Sequence, residues 1–352
     1  MVRPKQSIQS HRKDEHVFLA EKFRHGDAIN DFDGIRFIHQ SLPEIAVSDV
    51  DISTDFAGTN WASPFYINGM TGGSQQTKKI NAQLAQVAQI TNLPMATGSQ
   101  SVAIKDPSLA DTFSVIREFN PHGFVLANIG AGNDLNVAKQ AVAMTQANAL
   151  EIHVNTPQEI VMPEGDQDFY WLDEIANIVA NVGVPVIVKE VGFGMSADTI
   201  AQLKQIGVQF IDVSGRGGTN FVTIENERRH DKAYDYLADW GQSTVESLFE
   251  SRAFQNDVNI LASGGIRNPL DIVKALRLGA SAVGISGQFL HMVLKEGPTQ
   301  MAENLLTWQA QIQEIMAMLG ARDIQALQRA PIILSPELRH YLNERHINSE
   351  GI

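Results

Sequence analysis

Eight short apolar segments recur along this chain at a steady beat, each followed by a stretch of helical period. They are 65–68, 93–96, 123–127, 150–154, 184–188, 210–213, 258–262 and 282–285. Four or five residues drawn largely from Val, Ile, Leu, Ala and Phe suit strands buried on both faces. Between them, 78–91 places Ile80, Leu84, Val87 and Ala88 on one helical face. Stretches 108–119, 134–147, 170–182, 197–206, 232–251, 269–278 and 299–319 complete the set of expected helices. Eight strands alternating with eight helices predict an α/β protein, a (β/α)8 TIM barrel rather than an open doubly wound sheet.

One domain accounts for the whole of 1–352. Residues 1–55 read as a polar N-terminal arm and extension, 61–320 as the barrel, and 321–352 as a C-terminal helical tail. Within the extension, the pattern predicts a helix at 14–22, a turn-rich stretch at 27–34 and a peripheral strand at 45–52. The end, 348–352, reads as disordered. A net charge of −13 argues against general binding to nucleic acid or anionic membranes. There is no cysteine, so disulfides, thiolate metal sites and cysteine nucleophiles are excluded. The polar start lacks the apolar centre of a signal peptide, and no window approaches the ~20 apolar residues of a membrane span. A cytoplasmic protein is expected.

Barrels of this kind carry their chemistry at the carboxyl ends of the strands. Here every such end is small, polar or charged. Gly69-Met70-Thr71-Gly72-Gly73 follows the first strand, Thr97-Gly98-Ser99-Gln100 the second and Asn128-Ile129-Gly130 the third. The fourth runs through His153-Val154-Asn155 to Pro157-Gln158-Glu159, where Pro157 stops the strand. The fifth ends in Lys189-Glu190, the sixth in Ser214-Gly215-Arg216-Gly217-Gly218-Thr219. Ser263-Gly264-Gly265-Ile266-Arg267 and Gly284-Ile285-Ser286-Gly287 close the series.

Glycines after the seventh and eighth strands let backbone N–H groups approach an anion, which predicts a phosphate site with Arg267 beside it. Lys189 interrupts an apolar strand and needs a counter-charge or a ligand; Glu151, Glu190 or an anionic ring edge would serve. A bound FMN would explain the phosphate loops, Lys189, Asn128 and the first glycine loop together. His153, Asn155, Gln158 and Glu159 offer imidazole, amide and carboxylate groups and no nucleophile, a set suited to a polar ligand and a hard cation. His11-Arg12-Lys13 is the sharpest basic cluster, either a solvated arm or a clamp on an anion. Residues 216–231 read as a mobile lid or a solvent loop. Trp171, Trp240 and Trp308 are expected in helices and core.

Taken in order from residue 11 to about 290, these motifs resemble the type 2 isopentenyl-diphosphate isomerases. The resemblance implies an FMN- and Mg2+-dependent isomerase that acts in its reduced form, with NADPH as reductant. It implies FMN contacts from Met70, Thr71, Gly72, Ser99, Asn128, Lys189, Ser214, Thr219, Gly265, Ile266, Arg267, Ser286 and Gly287. It implies substrate diphosphate contacts from Arg12, Lys13 and Gln158, catalytic work by Gln158, His153 and Asn155, and a magnesium ligand in Glu159. A small-molecule diphosphate substrate and a homo-oligomer, tetramer or octamer, are implied too. One departure is Ser101, where many members carry Arg. The competing reading is an FMN oxidoreductase of the 2-hydroxy-acid oxidase type, but its His-Gly-x-Arg step near the seventh strand is absent.

Overall fold

The computed structural model describes residues 8–24 and 29–349. Eight parallel strands close into one barrel. In chain order they are β1 (Phe65–Ile67), β2 (Met95–Ala96), β3 (Val125–Gly130), β4 (Ala149–His153), β5 (Val186–Lys189), β6 (Phe210–Asp212), β7 (Asn259–Ser263) and β8 (Ala282–Ile285). Closure is made by β8 on β1, with Val283 opposite Phe65 and Ile285 opposite Ile67.

The strand period of two sorts the side chains into layers. Outward residues such as Leu150, Ile152, Val188 and Ile211 join the core beneath the helices. Inward residues near the amino ends are apolar: Tyr66, Leu126, Ala149, Ile187, Leu261 and Ala282. One step towards the carboxyl ends the inward residues turn polar, to Asn128, Glu151, Lys189, Asp212 and Ser263, all buried. An antiparallel hairpin, Thr54–Phe56 with Thr59–Trp61, plugs the amino end. Phe56 and Trp61 stack at 4.6 Å and meet Phe124 edge-on. Burying each such ring is worth about 2–3 kcal/mol, so that end is a packed floor and the polar end is left for ligands.

Helix positions follow the sequence pattern, with instructive differences. The N-terminal helix is Ile8–Lys22, longer than expected. Residues 45–52 form no strand. Val50 and Ile52 are buried, but the local backbone is satisfied by Gln313 Nε2 on the Val50 carbonyl and by Asp51 N–H on the Arg322 carbonyl. The peripheral strand is Ile35–Phe37, paired antiparallel with Ile332–Leu334 from the tail. Of the expected helix 232–251 only Thr244–Glu250 forms, capped by Ser243. Lys232 and Gly241 adopt positive φ, which a helix cannot contain. Trp240 stands 59% exposed there, not in the core. The final helix begins at Gly287, directly after β8, and is broken at Gly297 before Pro298 resumes it. The tail carries a further helix, Pro336–Glu344. Part of the 27–34 stretch, and 350–352 of the expected disordered end, lie outside the described residues. Among the described residues no helix is long and apolar enough to cross a membrane.

Candidate active site

A cavity of about 1140 Å³ opens at the carboxyl ends of the strands. That exceeds the roughly 300–1,000 Å³ of most small-molecule sites and leaves room for a cofactor and a second ligand. Its floor is the polar layer of the barrel. Asp212 accepts from Ser263 Oγ at 2.8 Å, Ser214 N–H at 3.1 Å, and Tyr66 Oη and Asn68 Nδ2 at 3.3 Å. Lys189 donates to the Glu190 carbonyl at 2.7 Å, while Glu190 Oε2 takes the N–H groups of Val191, Gly192 and Phe193. Thus the β5 loop is held by one carboxylate, and the Lys189 ammonium stays at the cavity wall.

Met70, Thr71, Ser99, Asn128, Lys189, Ser214, Thr219, Gly265, Ile266, Arg267, Ser286 and Gly287 all line this cavity. Gly72 stands behind the wall, where an added Cβ would fall 2.0 Å from Phe113. The wall after β6, β7 and β8 is built of backbone. At Gly264, φ is +93° and a Cβ would meet the Gly215 carbonyl at 2.1 Å; at Gly287 a Cβ would lie 2.9 Å from Thr219 Oγ1. Bare backbone converging from three loops, with a buried lysine and an amide opposite, fits a phosphate-bearing flat ring such as FMN. Arg267 lines the cavity and is also held from outside it. Its guanidinium is bidentate to Asp33 at 2.7 and 2.9 Å and also bonds Asp271 at 2.8 Å. Those bonds tie the N-terminal extension to the β7 loop.

The β4 side is built of side chains. Pro157 does more than end the strand, because it opens a short helix, Thr156–Val161, that carries Gln158 and Glu159. Asn155 donates to Glu159 Oε1 at 2.7 Å and to Gln158 Oε1 at 3.3 Å. Gln158 Nε2 donates to Glu225 Oε1 at 2.9 Å. His153 Nδ1 lies 2.9 Å from Asn128 Oδ1. Burial, with Lys189 and Lys13 nearby, pulls the imidazole down to about 3, so it is neutral. Glu159 Oε2 also accepts the Asp166 N–H at 2.9 Å. Among the described residues no three His, Asp or Glu side chains form a metal cage. A magnesium ion at Glu159 would have to draw its other ligands from water and a phosphate.

Residues 221–228 are the main surprise. The stretch read as a lid or solvent loop holds a helix, Phe221–Arg228, with Glu225 fully buried. His16 Nε2 sits 2.9 Å from Glu225 Oε1, and Arg228 Nη1 is 2.5 Å from Oε2. Burial alone would raise the Glu225 carboxyl; bonds from His16, Gln158 and Arg228 hold it down to about 2. Arg228 also bonds Glu164 at 2.7 Å and Glu15 at 3.3 Å, and Arg12 reaches Glu164 at 3.4 Å. This web docks the N-terminal helix over the cavity, with Arg12, Lys13 and His16 in its lining. Lys13 is drawn down to about 8 by desolvation and by Arg12. Ser101 also lines the cavity, and Lys105, one helical turn on, brings a cation to the same wall.

Sequence reading missed Glu225, Arg228, His16 and Glu164 as one unit. The local signal was present in the Glu225–Arg228 spacing of a helical ion pair and in the cap at Asn220. It pointed to a helix, not to its partners.

Residues 120–334 match the family of FMN-dependent dehydrogenases. Over 348 residues the chain is 82% identical to isopentenyl-diphosphate delta-isomerase of Latilactobacillus sakei, covering 99% of this chain and 100% of that protein. It is 53% identical to the protein of the same name from Lacticaseibacillus paracasei, covering 97% and 98%. Among solved structures, a mutant flavocytochrome b2 with benzoylformate aligns at TM-score 0.67 and 18% identity, covering 93% of this chain and 84% of that one. A mandelate oxidase mutant with benzaldehyde aligns at 0.61 and 17%, covering 91% of each. These likenesses at low identity speak for the fold alone.

Proposed function

Since this chain belongs to the type 2, FMN-dependent isopentenyl-diphosphate delta-isomerases, we propose that its cavity divides between cofactor and substrate along the line between β5 and β4. The reaction interconverts isopentenyl and dimethylallyl diphosphate. One carbon gains a proton and another loses one, with no net redox change. Reduced FMN, when bound, would supply acid–base chemistry beside the alkene. The backbone of the β6, β7 and β8 loops would hold its phosphate, with Lys189 and Asn128 at the ring.

The chain's own residues bind and orient. Arg12 and Lys13, carried by the docked N-terminal helix, grip the diphosphate, and Lys105 adds charge from the second loop. Glu159 would hold Mg2+, which would supply charge neutralisation at the diphosphate. Anchoring that end lays the apolar five-carbon end against the flavin side. Gln158 is fixed at both ends of its amide, by Glu225 and Asn155, so it meets the substrate in one orientation. His153 and Asn155 line the same wall. The observation that carries this reading is the placement of Gln158 and Glu159 on one short helix at the mouth, both held from outside the cofactor wall.

Reduction by NADPH, a cytoplasmic setting and assembly into a tetramer or octamer belong to the same proposal. The reading is tested by anaerobic incubation of reduced, Mg2+-loaded holoenzyme with isopentenyl diphosphate. Turnover to the dimethylallyl isomer is expected. No turnover, with a 2-hydroxy acid bleaching the flavin instead, would overturn it.

A further inference from the structure

We propose that Glu151 is a positioning residue that fixes the hydrogen-bonding polarity of His153 through Asn128, so that the imidazole nitrogen left to the cavity is an acceptor. The three side chains form a short relay across β3 and β4. Asn128 Nδ2 donates to Glu151 Oε2 at 2.8 Å, and Asn128 Oδ1 lies 2.9 Å from His153 Nδ1. An ionised carboxylate only accepts hydrogen bonds. When ionised, the fully buried Glu151 must therefore take the amide NH2 of Asn128, which turns the amide oxygen towards His153. That oxygen also only accepts, so the ring proton sits on Nδ1 and Nε2 is bare. Nε2 lies next to Gly130, and His153 and Gly130 both line the cavity. The order of donors follows from the carboxylate, whichever way the amide is first drawn.

The groups around Glu151 are Lys189 on β5, Asp212 on β6 and Tyr66 on β1. Lys189 favours the charged carboxylate, while burial and Asp212 oppose it and bring its pKa to about 7. Its second oxygen, Oε1, has no hydrogen-bond partner, which leaves Asn128 as its sole side-chain donor among the described residues. A hydrogen-bearing group at position 151 would permit the reverse order. It would donate to the Asn128 oxygen, the amide NH2 would face Nδ1, and Nε2 would become a donor.

This inference rests on the cavity being a diphosphate site, and it changes what His153 can do there. A bare nitrogen cannot hold an unprotonated phosphate oxygen. The group opposite must bring a hydrogen, as a hydroxyl or a metal-bound water does.

The test is 15N spectroscopy of histidine-labelled FMN holoenzyme at pH 8, with His153→Asn to assign the signal. The proposal expects Nδ1 protonated and Nε2 bare, both before and after adding Mg2+ with inorganic diphosphate. A shift of Nε2 only on that addition identifies a metal-bound water. A shift already present with FMN alone identifies a cofactor hydroxyl; either supports the proposal. In Glu151→Gln, which can donate, a second His153 signal with Nε2 protonated should appear while flavin absorbance persists. Nε2–H or imidazolium in the wild type, or an unchanged tautomer in folded Glu151→Gln, overturns the proposal. Should that variant not fold, the wild-type spectrum decides alone. If calorimetry shows no binding of inorganic diphosphate to the Mg2+-loaded holoenzyme while the tautomer is as stated, the diphosphate reading fails and the relay stands.

Discussion

The two walls of the cavity are made of different material. After β6, β7 and β8 the wall is main chain, kept bare by glycines whose Cβ atoms would strike neighbouring loops. Around β4 it is a web of charged and amide side chains running from Asn155 through Gln158 and Glu225 to His16 and Arg228. A backbone cradle recognises phosphate whatever the phosphate belongs to, and the same barrel serves flavocytochrome b2 and mandelate oxidase at 18% and 17% identity. A side-chain web is particular to one substrate, and it fails if one member is lost. The comparison predicts that changes on the first wall empty the flavin site. Changes on the second should spare the flavin and stop the chemistry.

The largest effect is expected at Glu225. Glu225→Ala leaves Arg228 and His16 facing a void at the heart of the web. Removing one partner of a buried pair costs about 3–5 kcal/mol, to be read by urea denaturation. The acid limb sharpens this. Because the folded carboxyl sits at about 2, below its ordinary value near 4.5, its contribution is complete above that value. It is lost as pH falls through 4 towards 2. Wild type should lose stability steeply there and Glu225→Gln much less; parallel slopes would remove Glu225 from the web.

Next comes the cofactor wall. Gly264→Ala combines positive φ with a 2.1 Å approach to the Gly215 carbonyl. FMN affinity should fall at least about thirtyfold, roughly 2 kcal/mol, by fluorescence titration. Retention of tight FMN would mean the loop is not the cradle.

Lys13→Gln should raise KM for the diphosphate about tenfold, the loss of one charged hydrogen bond, with kcat little changed. In the wild type kcat/KM should decline above about pH 8, as Lys13 gives up its proton. Lys13→Arg should abolish that bend, and a bend that persists would place it elsewhere.

Arg267→Ala is expected to be mildest. Its guanidinium is engaged by Asp33 and Asp271 at a partly open site, so stability should fall by about 1 kcal/mol and FMN affinity by no more than about threefold. A large loss of flavin would show that Arg267 leaves Asp33 to grip phosphate.

How legible the two walls were follows from the same difference. Glycine loops are local words, so Gly264-Gly265-Ile266-Arg267 or Gly284–Gly287 can be read without knowing the fold. The barrel was readable because strand and helix periods differ and repeat. What sequence could not show is distance in space. Glu225 is 67 residues from Gln158, and Arg267 is 234 from Asp33. Neither pairing has a periodic signal, and a helix of eight residues inside a charged stretch looks like a loop. The expected strand at 45–52 failed for a related reason. Apolar alternation is the same whether a segment finds a strand partner or, as here, lies against the side chain of Gln313.

The proposed division of the cavity is tested most directly at Gln158, which is bonded to Glu225 and Asn155 on the side assigned to substrate. FMN should be titrated into apo wild type and apo Gln158→Asn, and both assayed anaerobically, reduced, with Mg2+ and isopentenyl diphosphate. Matching FMN affinities are expected, with a fall in kcat of about a hundredfold or more. Flavin affinity dropping in step with activity would contradict that division, since the two walls would then be one structure.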